Sequence, residues 1–381
     1  MMGLLPLVLL PFGASIVFAV IIQGWRETVS KAEDKKEVGD PHSTHPTVAM
    51  IVPARNAADT ITPLLQDLYA QDYDRERVTV IVVDDASDDG TADKVRALMP
   101  RWPRLKLLLC DGEGKKAAIT TGVLATDAEW ILMTDADGRC GPERLRMLIE
   151  HAERTTSDLV LMPVATDGEG VLGRLQENEQ AALMMCAAAE AIQGKPMLAN
   201  GANLAFRRSA FMDVRGFQGD RYASGDDIFL VQRMRSAGKR ISYLLHAGAI
   251  VRVEAERTWS GFFRQRMRWS GKMRGVPWKY TWMPALGLLF PWLLFAVTLG
   301  IDWPNAVGQR FFMNALLVAG AWVLWLASVP ALVRDGKDFL GQRYSLVGAV
   351  LSHMAFVVYA PVLAIAGVFM RQKWKGRRLG G

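Results

Sequence analysis

Four stretches of this chain, 3–22, 281–301, 311–333 and 344–370, carry no charged side chain. Each reaches about the 20 residues that a helix needs to cross a bilayer, and buried core helices seldom run so long without a charge. The last three are bounded by charge, at Lys279 and Asp302, Arg310 and Arg334, and Arg343 and Arg371. No basic residue precedes Arg26, so the first stretch lacks the basic start of a cleaved signal peptide and reads as a retained anchor. Arg26, Lys31, Lys35 and Lys36 follow it, which favours an outside N-terminus and a cytoplasmic continuation. The basic tail 371–378 should also stay cytoplasmic. Three full C-terminal spans would put it outside, so one should fail to cross. Pro284 and Pro291 make 281–301 the candidate, as a re-entrant or interfacial segment.

The expected organisation is an anchor at 1–25, a polar linker at 26–46, a catalytic domain at 47–256, an amphipathic interface helix at 257–279, a membrane region at 280–370 and a basic tail at 371–381. Half the residues are hydrophobic, which excludes a disordered chain. Three cysteines, Cys110, Cys140 and Cys186, form no CxxC pair and exclude a disulfide scaffold; they fit a reducing compartment. The net charge of +6 suits anionic partners but is too mild and too dispersed to argue for nucleic acid. No 20–50-residue repeat is visible.

Apolar runs of strand length at 47–52, 78–83, 105–109, 130–133 and 159–162 alternate with helical patterns at 60–70, 91–99, 115–124 and 142–152. Continuous apolar strands alternating with helices predict a buried, mostly parallel sheet. Ligands of such sheets bind at the carboxyl ends of the strands, so those loops are the ones to search. The first strand leads into Pro53-Ala-Arg55-Asn56. The second ends at Asp84 and Asp85, where carboxylates can hold a ribose or a base N–H, or else cap the helix from Thr91. Gly112-Glu-Gly-Lys115-Lys116 turns into a helix without the spacing of a P-loop. Its helix start and Lys115 suit a phosphate, whereas Lys116 reads equally well as a solvated lysine. The fourth strand ends at Asp135-Ala-Asp137, two carboxylates able to share a hard cation with a diphosphate.

Taken in order, these motifs resemble the family-2 glycosyltransferases. Asn200-Gly201-Ala-Asn203 through Arg208 looks like that family's acceptor-side segment. Ser224-Gly-Asp226-Asp227 stands where the family has Glu-Asp, and Gln265-Arg-Met-Arg268-Trp269 matches Q-x-x-R-W. The likeness covers about 47–275. The hydrophobic ends resemble the membrane-bound branch that includes ceramide glucosyltransferases and cellulose- or hyaluronan-type synthases, and Trp374-Lys-Gly-Arg377 is similar to a basic tail of its glycolipid-forming members.

The resemblance implies a GT-A nucleotide-diphospho-sugar transferase fold, an α/β domain on a mostly parallel, Rossmann-like sheet, with transmembrane helices added. It implies a nucleotide-sugar donor, UDP-linked for preference, held by Pro53, Arg55, Asn56, Asp84, Asp85, Lys115 and Asp135. It implies a divalent metal, Mg²⁺ or Mn²⁺, on Asp135 and Asp137, and an acceptor or diphosphate subsite at Asn200, Gly201, Asn203, Gln265, Arg268 and Trp269. Asp227 would be the general base of an inverting transfer. Asp226 in place of the family's Glu leaves open which aspartate is the base, and the pair would also cap the helix from Ile228.

The Q-x-x-R-W motif lies among Arg257, Arg264, Arg266, Lys272 and Arg274, with Trp259, Phe262, Phe263 and Met267 between them. That mixture suits a membrane surface, so these other basic residues are assigned mainly to phospholipid headgroups. The Ala- and Met-rich segment 175–192 reads as a packed helix, and His246 and His353 as structural histidines. The leading expectation is an integral protein of the cytoplasmic membrane, the inner membrane of a bacterium, that adds a sugar to a lipid or lipid-linked hydroxyl. The rivals are a processive polysaccharide synthase and a non-catalytic sugar-nucleotide-binding scaffold.

Overall fold

The computed structural model describes residues 5–33, 45–220, 225–272, 275–276, 278–300, 309–369, 373–374 and 377–378. Lys35, Lys36 and His42 of the expected linker, Ser224, Arg274, Asp302, and Arg371, Lys375 and Gly376 of the tail lie outside them.

After the N-terminal helix α1 (Leu5–Glu33), strands and helices alternate: β1 (Val48–Ala54), α2 (Ala58–Tyr69), β2 (Val78–Asp84), α3 (Thr91–Leu98), β3 (Leu105–Leu109), α4 (Lys115–Leu124) and β4 (Trp130–Met133). There follow β5 (Arg139–Cys140), α5 (Arg144–Thr155), β6 (Leu159–Leu161), β7 (Val164–Asp167), α6 (Gly170–Ile192), β8 (Leu204–Arg207), α7 (Arg208–Asp213), α8 (Asp226–Ser236), β9 (Ile241–Tyr243) and β10 (Val251–Glu254). The chain ends in α9 (Trp259–Lys272), α10 (Trp278–Leu299), α11 (Gln309–Phe339) and α12 (Leu346–Phe369).

The main sheet has the order β3-β2-β1-β4-β8-β6-β9. It is mostly parallel, as the apolar runs predict. Successive β1 side chains serve opposite faces, the period-two rule of a strand. Ala49 and Ile51 join the core under α4 and α6. Met50 and Val52 join the core under α2 and α5. Strand β8 alone runs against its neighbours, pairing Leu204 with Met133. Its amino end therefore meets the carboxyl ends of β1, β2 and β4, and brings Asn200–Asn203 to the edge where Arg55, Asp85 and Asp135 emerge.

Among the described residues, three helical segments are long and apolar enough to cross a membrane: Val8–Glu33, Phe312–Phe339 and Leu346–Gly367. The apolar part described in α10, Gly287–Leu299, is shorter. Two helices outrun their expected limits. Helix α1 continues through 27–33, which was read as linker, and α11 continues six residues beyond Val333. Both persist because their charged ends find partners. The Arg26 Nε donates to Asp335 Oδ2 at 2.5 Å. The Lys337 ammonium, 1% exposed, donates to Glu177 of α6 at 2.7 Å. Helix α6 also starts earlier than 175 and is more than apolar packing: Gln176, Glu177, Asn178 and Gln180 are buried in it. It touches α1, α11 and α12, and joins the sheet domain to the apolar helices.

Candidate active site

At the sheet edge, the loop after β1 and the loop after β2 lock together. Arg55 donates to the Asp85 carbonyl oxygen at 2.6 Å, and its guanidinium lies 3.9 Å from the Asp85 carboxylate. Asn56, at φ 48°, accepts the Asp88 N–H at 3.1 Å. Two acidic residues here are spent on the loop itself. Asp84 accepts the Ser87 hydroxyl and N–H. Asp89 takes the N–H groups of Ala58 and Thr91. Burial would raise the Asp89 carboxyl, but those hydrogen bonds outweigh it and hold the group below its usual range. The helix-capping reading thus fits Asp89, while Asp85, buried, turns toward α4 and accepts the Gly114 N–H at 3.2 Å.

Gly114 precedes α4, and Lys115 opens it. A lysine at the positive end of a helix is electrostatically unfavourable, so it needs anionic neighbours. It has them: its ammonium lies 2.6 Å from Asp135 and 3.0 Å from Asp226. Burial would lower the Lys115 pKa, but Asp135, Asp226 and Asp227 drive it up. Burial would raise Asp226, and the ammonium groups of Lys115 and Lys272 overturn this and hold it down. Gly201 lets these groups meet. A Cβ there would stand 2.6 Å from Asp226 Oδ2 and 2.9 Å from Lys115 Nζ.

Asp227 is held from three sides. Its Oδ1 accepts the Ile228 N–H at 2.8 Å and its Oδ2 the Gly201 N–H at 3.3 Å. The Lys272 ammonium donates to each oxygen at 3.1 Å. Earlier on α9, Gln265, Arg268 and Trp269 follow one another at helical spacing. Arg266 anchors this group: it grips Glu179 of α6 through Nε and Nη2, bonds Gln265, and lies 4.2 Å over the Trp269 ring. Tyr359 of α12 donates to the same Glu179 at 3.0 Å.

One cavity of about 730 Å³ joins these parts. Its wall carries the ionic cluster of Lys115, Asp135, Asp226, Asp227 and Lys272 together with Asp137, Asn200, Gly201, Gln265, Arg268 and Trp269. The same wall includes apolar side chains of the last helices, Leu288 of α10 and Phe356, Leu363 and Ala364 of α12. Pro53, Arg55, Asn56, Asp84 and Asp85 cluster beside it, tied to it through Gly114, and are not on its wall. Asn203 is not on the wall either. Its side chain is buried, donates to Pro163 O and Ala249 O, and accepts from Arg144.

Residues 49–215 match the family model for glycosyl transferase family 2. The chain carries a family-2 glycosyltransferase domain. The succinoglycan biosynthesis protein ExoO of Rhizobium meliloti (strain 1021) is 29% identical to the chain over 217 residues, 55% of this chain and 61% of that protein. A poly-beta-1,6-N-acetyl-D-glucosamine synthase of Staphylococcus aureus (strain MSSA476) is 23% identical over 226 residues, 58% and 53% of the two chains. The chain thus spans less than two-thirds of the length of these curated relatives. The structure of the mannosyltransferase PcManGT from Pyrobaculum calidifontis, in complex with GDP-Man and Mn²⁺, superposes with a TM-score of 0.55 at 20% identity, over 95% of this chain and 96% of that one. The family-2 domain has the GT-A fold.

The domain fits a divalent cation by its donors. Asp135 and Asp137 offer hard carboxylate oxygens two positions apart on one turn. The Lys115 ammonium already lies between Asp135 and Asp226, so this hollow tolerates a cation. Among the described residues no three His, Cys, Asp or Glu side chains cluster around one point. A bound ion would therefore complete its shell from diphosphate and water oxygens.

Four features of the structure lie outside the expectations from sequence. Arg266 and Lys272, assigned there to headgroups, are buried and ion-paired, because carboxylates on α6 and α8 face them. Lys116 is no solvated lysine; it pairs with Asp220 at 2.7 Å and lies 4.7 Å over the Phe229 ring. Arg144, 0% exposed, braces the turn that carries Asp135 by donating to Met133 O and Thr134 Oγ1. Glu179 was hidden in a segment read as bland. The signals were present: an Arg in the first turn of α5, and Gln176-Glu-Asn-Glu-Gln180 inside an Ala/Met helix.

Proposed function

We propose that this chain is a membrane-bound, metal-dependent glycosyltransferase. It moves a sugar from a nucleoside diphosphate, UDP for preference, to a hydroxyl of a lipid or lipid-linked acceptor at the cytoplasmic face, with inversion. The observation that carries the reading is the cavity whose wall joins a carboxylate-lysine cluster to apolar side chains of α10 and α12. An acceptor with a polar head and an apolar tail fits that polarity. Its volume lies within the range of about 300–1,000 Å³ usual for small-molecule sites.

In this reading Arg55, Asn56, Asp84, Asp85 and Pro53 shape the nucleoside side, and Lys115, Arg268 and Gln265 face the diphosphate. Asp84 acts through its loop, since its carboxylate is occupied by Ser87. Asn203 acts through Arg144 and the backbone, fixing the turn at Asn200 and Gly201. Asp135 and Asp137 would hold Mg²⁺ or Mn²⁺, which neutralises the charge that grows on a leaving diphosphate. The complex of PcManGT with GDP-Man and Mn²⁺ supports both ligand classes. An acceptor hydroxyl is a weak nucleophile until a base takes its proton. Asp227 takes it, the hydroxyl oxygen bonds to the anomeric carbon, and the bond to the diphosphate breaks on the opposite side. Trp269, on the cavity wall, packs beside the acceptor.

Processive synthesis is the second reading, supported by the Q-x-x-R-W helix and by the Staphylococcus aureus relative named as a synthase. Full-length protein in nanodiscs of bacterial lipids, supplied with Mn²⁺ and radiolabelled UDP-sugars or GDP-mannose, separates the readings. A lipid carrying one sugar supports the first, and a ladder of polymer the second. No incorporation from any donor overturns both, and full activity of Asp227→Asn removes Asp227 as the base.

A further inference from the structure

An ionised carboxylate offers about four lone-pair positions to hydrogen-bond donors. On Asp227 all four are taken: Oδ1 by the Ile228 N–H and the Lys272 ammonium, Oδ2 by the Gly201 N–H and the same ammonium. A base in that condition has no position left for the proton of a hydroxyl. Two of its partners are backbone amides, fixed by the first turn of α8 and by the turn before β8. The third is an ammonium on a flexible stem, and it is the only one that can leave without unfolding an element. Lys272 lines the same cavity as Lys115, Asp135 and Arg268. An anion entering there competes for it directly.

We infer that Lys272 is a latch on Asp227: it occupies the carboxylate while the donor site is empty and transfers to the donor's diphosphate when that arrives, which opens the base only in the loaded site. The inference rests on the reading of Asp227 as the base. Once Lys272 has left, the amides of Ile228 and Gly201 keep the carboxylate aimed, so release changes its availability and leaves its position alone. The proton balance is unchanged: the acceptor gives its proton to Asp227 and its oxygen to the anomeric carbon, and the nucleoside diphosphate departs with the bonding pair. Lys272 is thus a positioning residue, and the device withholds Asp227 as a base until a donor is bound. It also ties the base to α9, whose Arg266 is anchored through Glu179 to Tyr359 of α12.

Two measurements on the full chain test the latch. The first needs no turnover: a water-soluble carbodiimide with glycine ethyl ester labels accessible carboxyls, and mass spectrometry reads Asp227. Labelling in the absence of donor should rise several-fold in Lys272→Met and stay at the wild-type level in Lys272→Arg, with the shift confined to Asp227. Equal labelling of wild type and Lys272→Met overturns the latch. The second is hydrolysis of UDP-sugars and GDP-mannose with Mn²⁺. Lys272→Met should raise the donor KM about tenfold, as expected for one lost charge-assisted hydrogen bond, with kcat nearly unchanged. A fall in kcat at constant KM overturns the transfer to diphosphate. If wild type releases no sugar from any donor, the labelling result alone decides the latch, and the proposed function is judged separately by incorporation into lipid.

Discussion

Tyr359 and Glu179 lie 180 positions apart in sequence and share a hydrogen bond of 3.0 Å, on the oxygen that also takes Arg266 at 2.7 Å. A hydroxyl from an apolar helix thereby fixes the residue that carries Gln265 and Trp269. Removing one partner of a buried pair costs about 3–5 kcal/mol, because the other charge is left without compensation. Glu179→Gln should lower the melting temperature in detergent and lower transfer at least tenfold. Tyr359→Phe, which leaves the ion pair intact, should change the melting temperature little and raise the KM for acceptor more than that for donor. Thermal melts and a kinetic comparison with both substrates check this.

Gly201→Ala is expected to disable the site without unfolding the chain. The added methyl has no room beside Asp226 and Lys115, and either group must move. Transfer should drop by about two orders of magnitude, the loss that follows when catalytic groups shift by about an ångström. Circular dichroism should match wild type. Activity within twofold of wild type would show that the two groups need not meet.

Removal of divalent metal should abolish transfer. Chelation with EDTA is expected to silence the protein, and added Mn²⁺ or Mg²⁺ to restore it. Asp137→Asn should raise the metal concentration needed for half-maximal activity. Asp135→Asn should do so too, and also disturb Lys115, its partner at 2.6 Å. A metal titration of each variant reads the difference.

Glu190 of α6 gives the chain a pH-dependent weakness. Burial, opposed in part by Arg235, pushes its carboxyl up to about 7. A folded value above the unfolded one means that ionisation costs stability: the penalty is absent below the unfolded value, grows toward the folded value and persists beyond it. Wild type should therefore lose more melting temperature than Glu190→Gln between about pH 5 and pH 8. Parallel melting curves for the two proteins would refute this.

Much of the sheet was legible because its strands are buried on both faces and so read as unbroken apolar runs. Trp130–Met133, buried throughout, begins and ends where the residues predict, and so does Leu105–Leu109, although it is an edge strand with Leu109 exposed. The reversal of β8 was not legible, since Leu204–Arg207 is as apolar as a parallel strand and direction leaves no mark on composition. The acidic turns were visible as motifs, yet which carboxylate faces the cavity depends on local hydrogen bonding: Asp84 is taken by Ser87, three residues on, whereas Asp85 is turned to α4. Arg266 and Lys272 were misjudged for a related reason. A basic residue looks solvated until its partner is known, and those partners, Glu179 and Asp227, lie 87 and 45 positions away.

The bond from Arg26 to Asp335 spans 309 positions. A ribosome must add 309 residues after Arg26 before this helix meets its ionic mate. Through that interval Arg26 lacks its final partner. Assembly of the helical bundle is therefore a late event in biogenesis, and truncations ahead of Asp335 should leave the N-terminal helix inserted but undocked.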